Sequence, residues 1–248
     1  MKTQLIRSAL TGLALTFAVS TDSQAALFEG FESLTLSVPA VGDAGPVDGD
    51  FFTPFQATPQ GSRQLLLSTT SFAADGGNLS GSDAASVATV ESFLALQTGA
   101  IPDGGSLGDA SAVKLAVTLG VGDVLSFQYR FLTSATVLDG MDFAFYTLQI
   151  GAGIPVLVTF ADTVAATTPS TSANFDFESG VATVTLPAAG IAGSYTLGFG
   201  IADHTDDAIQ SGVLIDNVQI VPEPTSALLL LLGLGGLGSL RRRSVRVN

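Results

Sequence analysis

The sequence predicts an all-β fold, an antiparallel β-sandwich with one short helix. Several short segments alternate apolar and polar residues with the period of two that a half-buried strand requires. Gly and Asp separate these segments, as they do between Leu119 and Asp123, which is typical of tight turns. The chain has 28 glycines, no cysteine and only 12% charged residues. This composition fits strands and turns better than a helical enzyme.

The clearest strands come from segments whose large apolar residues share one face. Residues 124–132 place Leu125, Phe127, Tyr129 and Phe131 on one face. Residues 194–201 do the same with Tyr195, Leu197, Phe199 and Ile201, and residues 141–150 with Met141, Phe143 and Phe145. Further strands are predicted at 65–69, 112–119, 181–186 and 213–220. Several short strands joined by polar turns predict a sandwich.

One segment, residues 83–96, departs from the strand pattern. Val87, Val90 and Leu94 recur there at helical spacing, and Ser82 or Asp83 could cap the first turn. We expect a short helix that packs on one end of the sandwich.

The first 25 residues have the three parts of a secretory signal peptide. Lys2 and Arg7 form a positive region, and a short apolar core follows at residues 9–19. Ser23 and Ala25 supply the small residues that signal peptidase requires, so cleavage is predicted after Ala25. The alternative is a membrane anchor, for which the apolar run is too short. Export through the Sec translocon follows.

The C-terminal segment, residues 221–248, also has three parts. The motif Val221-Pro222-Glu223-Pro224 comes first, an apolar run at 225–240 follows, and a basic cluster of Arg241, Arg242, Arg243 and Arg246 ends it. The run predicts a transmembrane helix of about 24 Å, short for a hydrocarbon core of about 30 Å. Clustered arginines stay cytoplasmic, which places the domain at 26–220 on the outer side of the inner membrane. The two chain ends thus agree on topology.

This order of motif, apolar helix and arginine cluster resembles the PEP-CTERM sorting signal of Gram-negative bacteria. The resemblance implies recognition by an exosortase, a membrane-embedded, Cys-dependent, transpeptidase-like protease. It implies a transient inner-membrane anchor, cleavage near the motif, and transit to the cell envelope surface or an exopolysaccharide matrix. The alternative is a plain C-terminal anchor, which would need neither two prolines around Glu223 nor so short an apolar run.

The middle of the chain carries a second resemblance, in the order of short motifs. Among them are Phe28-Glu29-Gly30-Phe31-Glu32 at the start, residues 122–127 in the middle and Leu214-Ile215-Asp216-Asn217-Val218 at the end. The order is similar to that of uncharacterised β-sandwich domains carried by many sorted bacterial surface proteins. Those domains are similar in outline to carbohydrate-binding jelly rolls. The resemblance therefore implies a jelly-roll-like sandwich rather than a particular ligand.

Charge is unevenly distributed along the chain. Residues 26–220 hold 20 of the 22 acidic residues but only three basic ones, Arg63, Lys114 and Arg130. Such an acidic domain should repel nucleic acid and anionic lipid, because both need a basic surface. The sequence therefore excludes nucleic acid as a partner.

The sequence offers little for hydrolytic chemistry. His204, in the polar run from Asp203 to Asp207, is the one histidine, and no Gly-x-Ser-x-Gly elbow occurs. We therefore predict that the protein is not an enzyme. A glycosidase built on two carboxylates stays open, because the separation of carboxylates cannot be read from a sequence.

A calcium site is the strongest chemical hypothesis. Calcium prefers carboxylate, amide and carbonyl oxygens, and Glu29 and Glu32 could meet Asp216 and Asn217 if the first and last strands are neighbours. Asp216 shares strand parity with Leu214, Val218 and Ile220, which would place a carboxylate on an apolar face. Two alternatives stay open. Val213, Ile215 and Asn217 could form the outer edge, or Asp216 could accept backbone hydrogen bonds. The run from Asp203 to Asp207 is a weaker candidate, because an acidic loop is usually a solvated tip.

We consider three functions for this chain. The first is a secreted structural or adhesive surface protein, with or without weak binding to a glycan such as exopolysaccharide. The second is a carboxylate-based glycan hydrolase. The third is ice binding, which would require a flat array of regularly spaced threonines that Thr167, Thr168, Thr171, Thr183 and Thr185 do not form.

Overall fold

A computed structural model of the chain describes residues 26–27, 31–33, 37–51, 58–70, 84–102, 108–135, 142–172, 174–204 and 210–221. The predicted signal peptide at 1–25, Glu29, motif residues 222–224, the apolar run at 225–240 and the arginine cluster lie outside the described residues.

The described elements are almost all strands. In chain order they are β1 (Ala26–Leu27), β2 (Ala40–Val41), β3 (Asp43–Asp48), β4 (Arg63–Ser68), β5 (Ala85–Ser86), α1 (Val87–Phe93), β6 (Asp109–Leu119), β7 (Val124–Thr133), β8 (Phe143–Ile150), β9 (Val156–Asp162), β10 (Thr168–Pro169), β11 (Phe177–Glu178), β12 (Ala182–Thr185), β13 (Gly193–Ala202) and β14 (Ser211–Val221). Short 3₁₀ turns lie at Gly49–Phe51 and Thr163–Ala165. In the described part of the chain, no helix is long and apolar enough to cross a membrane.

The strands form two antiparallel sheets packed face to face. Sheet A has the order β10-β11-β7-β14-β4-β3, with β1 beside β14 and β12 beside β7. Sheet B has the order β2-β6-β13-β8-β9, with β5 beside β6. This arrangement confirms the predicted all-β antiparallel sandwich.

The core lies between the sheets and is centred on aromatic residues of β7 and β13. Phe127 and Phe199 are fully buried, with their rings edge to face at 4.8 Å between centroids. Such a pair adds about 0.5–1.5 kcal/mol beyond the area it buries. The apolar face predicted for each of these two strands is confirmed, because its residues lie in this core or pack against it.

β8 is apolar on both faces. Ala144 and Tyr146 point into the core, whereas Phe143 and Phe145 lie on the opposite face beneath α1. The shared face predicted for Phe143 and Phe145 is therefore confirmed, and Met141 lies outside the described residues. A strand covered on both sides reads as a continuous apolar run, which residues 143–146 are.

The helix is shorter than predicted and has a different cap. Ala85 and Ser86 pair with β6 as β5, so α1 begins only at Val87. The Ser86 side chain caps it by accepting a hydrogen bond from the Thr89 amide. The prediction of Ser82 or Asp83 as the cap was therefore wrong. The predicted apolar face is correct, since Val87, Val90 and Leu94 are buried against the outer face of sheet B.

A β-bulge changes the parity of β14. The register against β7 shifts between Asp216 and Gln219, and Asn217 has a φ of 51°. Val213 and Ile215 point into the core before the bulge, and Val218 points into it afterwards. The predicted parity of Asp216 with Val218 and Ile220 was therefore wrong, as was the alternative that put Val213 and Ile215 on an outer edge.

Candidate functional site

The C-terminal segment leaves directly from the last strand. Val221 ends β14 and pairs with Val124, the first residue of β7. Ala26, the residue after the predicted signal cleavage, pairs with Ile220. The first and last strands are neighbours, as expected, and both ends of the domain emerge at the same end of the sandwich.

Of the three predicted calcium ligands that the structure describes, Asp216 is the most completely enclosed. Its side chain is 3% exposed and accepts hydrogen bonds from the backbone N–H of Gln60 and of Asn217, each at 2.7 Å. Burial raises the pKa of Asp216 to about 6, the two N–H donors oppose this rise, and the charge of Glu32 adds to it. The alternative that Asp216 accepts backbone hydrogen bonds is thus what the structure contains.

Glu32 and Asn217 lie close to Asp216 but have partners of their own. Glu32 Oε2 accepts hydrogen bonds from the Ser62 N–H at 2.8 Å and from the Ser62 hydroxyl at 3.0 Å. Asn217 Nδ2 donates to Gln128 Oε1 at 3.1 Å. Gly61 has a φ of 62°, and a side chain there would collide with the Glu32 carboxylate. The loop at 58–62 is therefore held against sheet A by two carboxylates.

This arrangement leaves the calcium hypothesis untested. Glu29 lies outside the described residues, and among those described no three acidic, His or Cys side chains group closely enough to hold a metal ion. Within the described part of the chain neither Glu32 nor Asp216 forms an ion pair, and hydrogen bonds to the loop offset the repulsion between the two carboxylates. Calcium binding by this pair stays a prediction.

The opposite end of the sandwich contains a buried carboxylate pair that the sequence analysis missed. Asp142, just before β8, is 3% exposed, and Asp203, just after β13, is 2% exposed. They meet because Phe143 and Ala202 are paired in adjacent antiparallel strands. The reading of the run starting at Asp203 as a solvated tip was wrong for Asp203 itself. Pairing the two predicted strands in antiparallel register would have revealed the juxtaposition.

The Asp142 carboxyl group has an unusual proton affinity. Burial raises its pKa to about 7, the nearby Ser211 hydroxyl lowers it in part, and the charge of Asp203 raises it further. Asp142 Oδ1 accepts a long hydrogen bond, 3.4 Å, from the His204 N–H. Within the described structure Oδ2 is buried without a hydrogen-bond partner of good geometry. A buried oxygen of this kind favours the protonated acid.

Among the residues that the structure describes around this pair, no nucleophilic triad is assembled. Ser211 is fully buried and its hydroxyl hydrogen-bonds that of Thr133 at 2.8 Å. The His204 ring nitrogen Nδ1 lies 3.2 Å from the Pro102 carbonyl oxygen. A small pocket of about 200 Å³ adjoins this region, with Phe143, Asp162 and His204 in its wall, but neither Asp142 nor Asp203 lines it. The two acids are therefore buried beside each other and away from this pocket.

A second pocket, of about 250 Å³, lies on the outer face of sheet B beside α1. Its wall combines the Phe93 ring with the polar side chains of Lys114, Gln149 and Thr196. Lys114 Nζ stands 4.4 Å from the centroid of the Phe93 ring and donates to the Phe93 carbonyl at 3.1 Å. An aromatic ring with several donors around it is the combination that a sugar ring can contact from both its apolar and its polar sides.

Comparison with known proteins identifies the C-terminal segment. Residues 221–244 match the model of the PEP-CTERM protein-sorting motif. A sequence search against curated proteins finds no match.

Among solved structures, a carbohydrate-binding module, TmCBM61 in complex with β-1,4-galactotriose, aligns with 78% of this chain and 94% of its own at 12% identity and a TM-score of 0.42. The enzymatically active domain of bacteriophage CBA120 tailspike protein 4 aligns with 77% of this chain and 20% of its own at 12% identity and a TM-score of 0.33. Likenesses this weak identify no shared ligand or activity. The C-terminal segment, as the order of its three parts predicts, is a PEP-CTERM protein-sorting motif that begins where β14 ends.

Proposed function

We propose that this chain is an exported structural or adhesive protein of the cell surface or extracellular matrix, released from the inner membrane by an exosortase. The observation that carries the proposal is the PEP-CTERM motif at 221–244, placed directly after the last strand of a sandwich. The signal peptide predicted at 1–25 and the arginine cluster at 241–246 support the same topology.

The position of the motif suits processing of a folded domain. β14 is complete at Val221, so a cut within or after residues 222–224 would remove the tail and leave every strand of sheet A intact. Such a cut would separate the acidic domain from the apolar run and its arginines. The product would be a soluble, strongly acidic sandwich, suited to a hydrated matrix.

A non-catalytic role is supported by the burial of the groups that could react. Asp142, Asp203 and Ser211 are each 3% exposed or less. General acid–base catalysis requires such groups within hydrogen-bond reach of a substrate. Two of the three basic residues of the domain are also paired with acids. Arg63 lies 3.7 Å from Asp48, and Arg130 lies 3.8 Å from Glu178.

Weak glycan binding is the finer part of the proposal, and the pocket beside α1 is its site. Phe93 offers an apolar ring, and Lys114, Gln149 and Thr196 offer hydrogen bonds to hydroxyl groups. The neutral or acidic sugars of an exopolysaccharide fit a site whose charge comes from Lys114. Affinity electrophoresis in gels containing the host's exopolysaccharide should show retardation that Gln149→Ala and Thr196→Ala reduce. The exposed substitution Asp176→Asn should leave retardation unchanged, and equal retardation of all variants would refute the site.

Release from the membrane is tested by mass spectrometry of surface material from the host. We expect a chain that begins at Ala26 and ends near Val221 to Pro224. In a strain without exosortase, or with Glu223→Ala, the chain should instead remain in the inner membrane with its tail. Full-length protein in the membrane of the unmodified strain, with none released, would refute the proposal.

A further inference from the structure

The end of the sandwich from which the tail leaves is lined by apolar loops. Three loops meet there: residues 120–123 between β6 and β7, 151–155 between β8 and β9, and 186–192 between β12 and β13. We call them the tail-end loops. Six of the nine exposed large hydrophobic residues in the described structure lie in these loops or directly beside them: Val121, Ile150, Ile154, Val156, Ile191 and Val221.

The tail-end loops are bonded to one another and to the strands. The Gly122 N–H donates to the Ala189 carbonyl, and the Ala189 N–H donates to the Asp123 carbonyl, both at 2.8 Å. The Gly151 N–H donates to the Ser194 carbonyl at 3.1 Å. The exposed side chains therefore stand on a preformed platform. An apolar cavity of about 320 Å³ extends from it between Leu148, Leu186 and Tyr195.

Charge is almost absent from this platform, although the domain is strongly acidic. Asp123 is the single charged residue of the three loops, and its carboxylate accepts a hydrogen bond from the Gly120 N–H at 2.7 Å. Exposed apolar residues grouped on one surface usually mark a contact with another molecule or a membrane. Here the contact must be with something apolar and largely uncharged.

The short connection between the sandwich and the apolar run indicates that the partner of the tail-end loops is the membrane. Four steps of chain separate Val221 from Thr225, where the apolar run begins. They reach at most about 14 Å. The headgroup layer on each side of a bilayer is roughly 5–8 Å thick. Once residues 225–240 enter the bilayer, the end of the sandwich carrying Val221 must lie at the membrane surface.

We infer that the tail-end loops are a membrane-contacting surface, which rests on the outer leaflet of the inner membrane while the tail is anchored. The inference rests on the proposed function, because it requires the tail to enter the bilayer. Val121, Ile154 and Ile191 enter the boundary between headgroups and acyl chains, where the burial of apolar side chains stabilises binding to the membrane. The contact is apolar, so anionic lipid weakens it by repelling the acidic domain. It holds the motif at 221–224 at the depth where a membrane-embedded protease acts.

The absence of native cysteine allows a direct test in the full chain. Val121→Cys, Ile154→Cys and Ile191→Cys are each labelled with an environment-sensitive fluorophore in detergent, before reconstitution into phosphatidylcholine vesicles. Val164→Cys is the matched control, because Val164 is 53% exposed and follows β9 at the opposite end of the sandwich. Leu230→Cys reports on insertion of the tail itself.

Quenchers attached to the lipid acyl chains near the headgroups should quench the three loop labels several-fold more than the label at 164. Replacing a third of the lipid with phosphatidylglycerol should reduce that difference. If the label at residue 230 is strongly quenched but the loop labels are quenched no more than the label at residue 164, the inference is overturned and the proposed function stands. No quenching at 230 refutes the membrane anchor and the inference with it. Loop labels that are shielded only at high protein density, without lipid quenching, assign the surface to a second copy of the chain and also overturn the inference.

Discussion

The buried pair of Asp142 and Asp203 makes the stability of the domain depend on pH in an unusual direction. The pKa of Asp142 is raised from 3.8 to about 7, chiefly by burial, so between these values the native protein holds a proton that the unfolded chain releases. Stability therefore falls as the pH rises from about 4 to about 7. Most acidic residues that are paired in the native state act in the opposite direction.

Asp142→Asn measures the size of this effect. Asparagine keeps the oxygen that accepts the hydrogen bond from the His204 N–H. Its amide N–H can donate a hydrogen bond to Asp203, as the protonated carboxyl group of Asp142 can. The rise of the pKa of Asp142 from 3.8 to about 7 sets an upper limit of about 4 kcal/mol on the cost of ionising its carboxyl group in the native protein. We expect the variant to match the native protein near pH 4 and to exceed its stability by up to about 4 kcal/mol at pH 8.

Urea unfolding from pH 4 to pH 8, followed by circular dichroism, gives the free energy of unfolding at each pH. Asp176→Asn is the control, since it removes an exposed carboxylate and should keep the native pH dependence. A stability difference between Asp142→Asn and the native protein that does not change over this range would refute the reasoning. It would mean that Asp142 is charged in the native state at pH 7, or that it is solvated.

Three further predictions concern the loop at 58–62 and the two carboxylates that hold it, those of Glu32 and Asp216. Calcium should raise the unfolding midpoint more than magnesium at equal ionic strength, and Asp216→Ala should abolish the difference; equal responses to both ions would contradict the calcium hypothesis. Asp216→Asn should weaken the fall in stability above pH 4, because burial raises the pKa of Asp216 to about 6, and an unchanged urea titration would count against this. Gly61→Ala should cost at least about 1 kcal/mol, since φ is 62° and the methyl group would meet Glu32; a neutral result in the same assay would show that the loop is not held there.

Prediction from the sequence succeeded where a strand is buried on one face and solvated or lightly covered on the other. Residues 124–132 became β7 (Val124–Thr133), and residues 194–201 became β13 (Gly193–Ala202), with their apolar faces as expected. β3 was missed, because Gly45 and Pro46 argue against a strand. β9 was missed although residues 156–160 have strand composition, because Val156, Leu157 and Val158 are consecutive apolar residues and show no alternation.

The sites were harder to predict, because they depend on pairing between distant strands and on one irregular residue. The bulge at Asn217 reverses the facing of every residue after it, which no alternation pattern reveals. Asp142 and Asp203 meet only because β8 and β13 are neighbours. The tail-end loops are rich in Gly and Ala and read as ordinary turns until the sheets bring them together. The sorting motif, by contrast, is a local pattern, so it could be predicted from the sequence alone.

The position of β14 has a consequence for the order of events during maturation. It is the last strand before the tail, yet it lies in the interior of sheet A between β7 and β4 and also pairs with β1. In a chain exported N-terminus first, sheet A cannot close until this final strand has crossed the membrane. Contacts between residues so distant in sequence make folding slow, so the chain stays unfolded while it passes through the translocon. If a protease cut at the motif before β14 had docked, it would release a chain whose strands β7 and β4 still had unpaired edges prone to aggregation. Folding before cleavage would avoid that state.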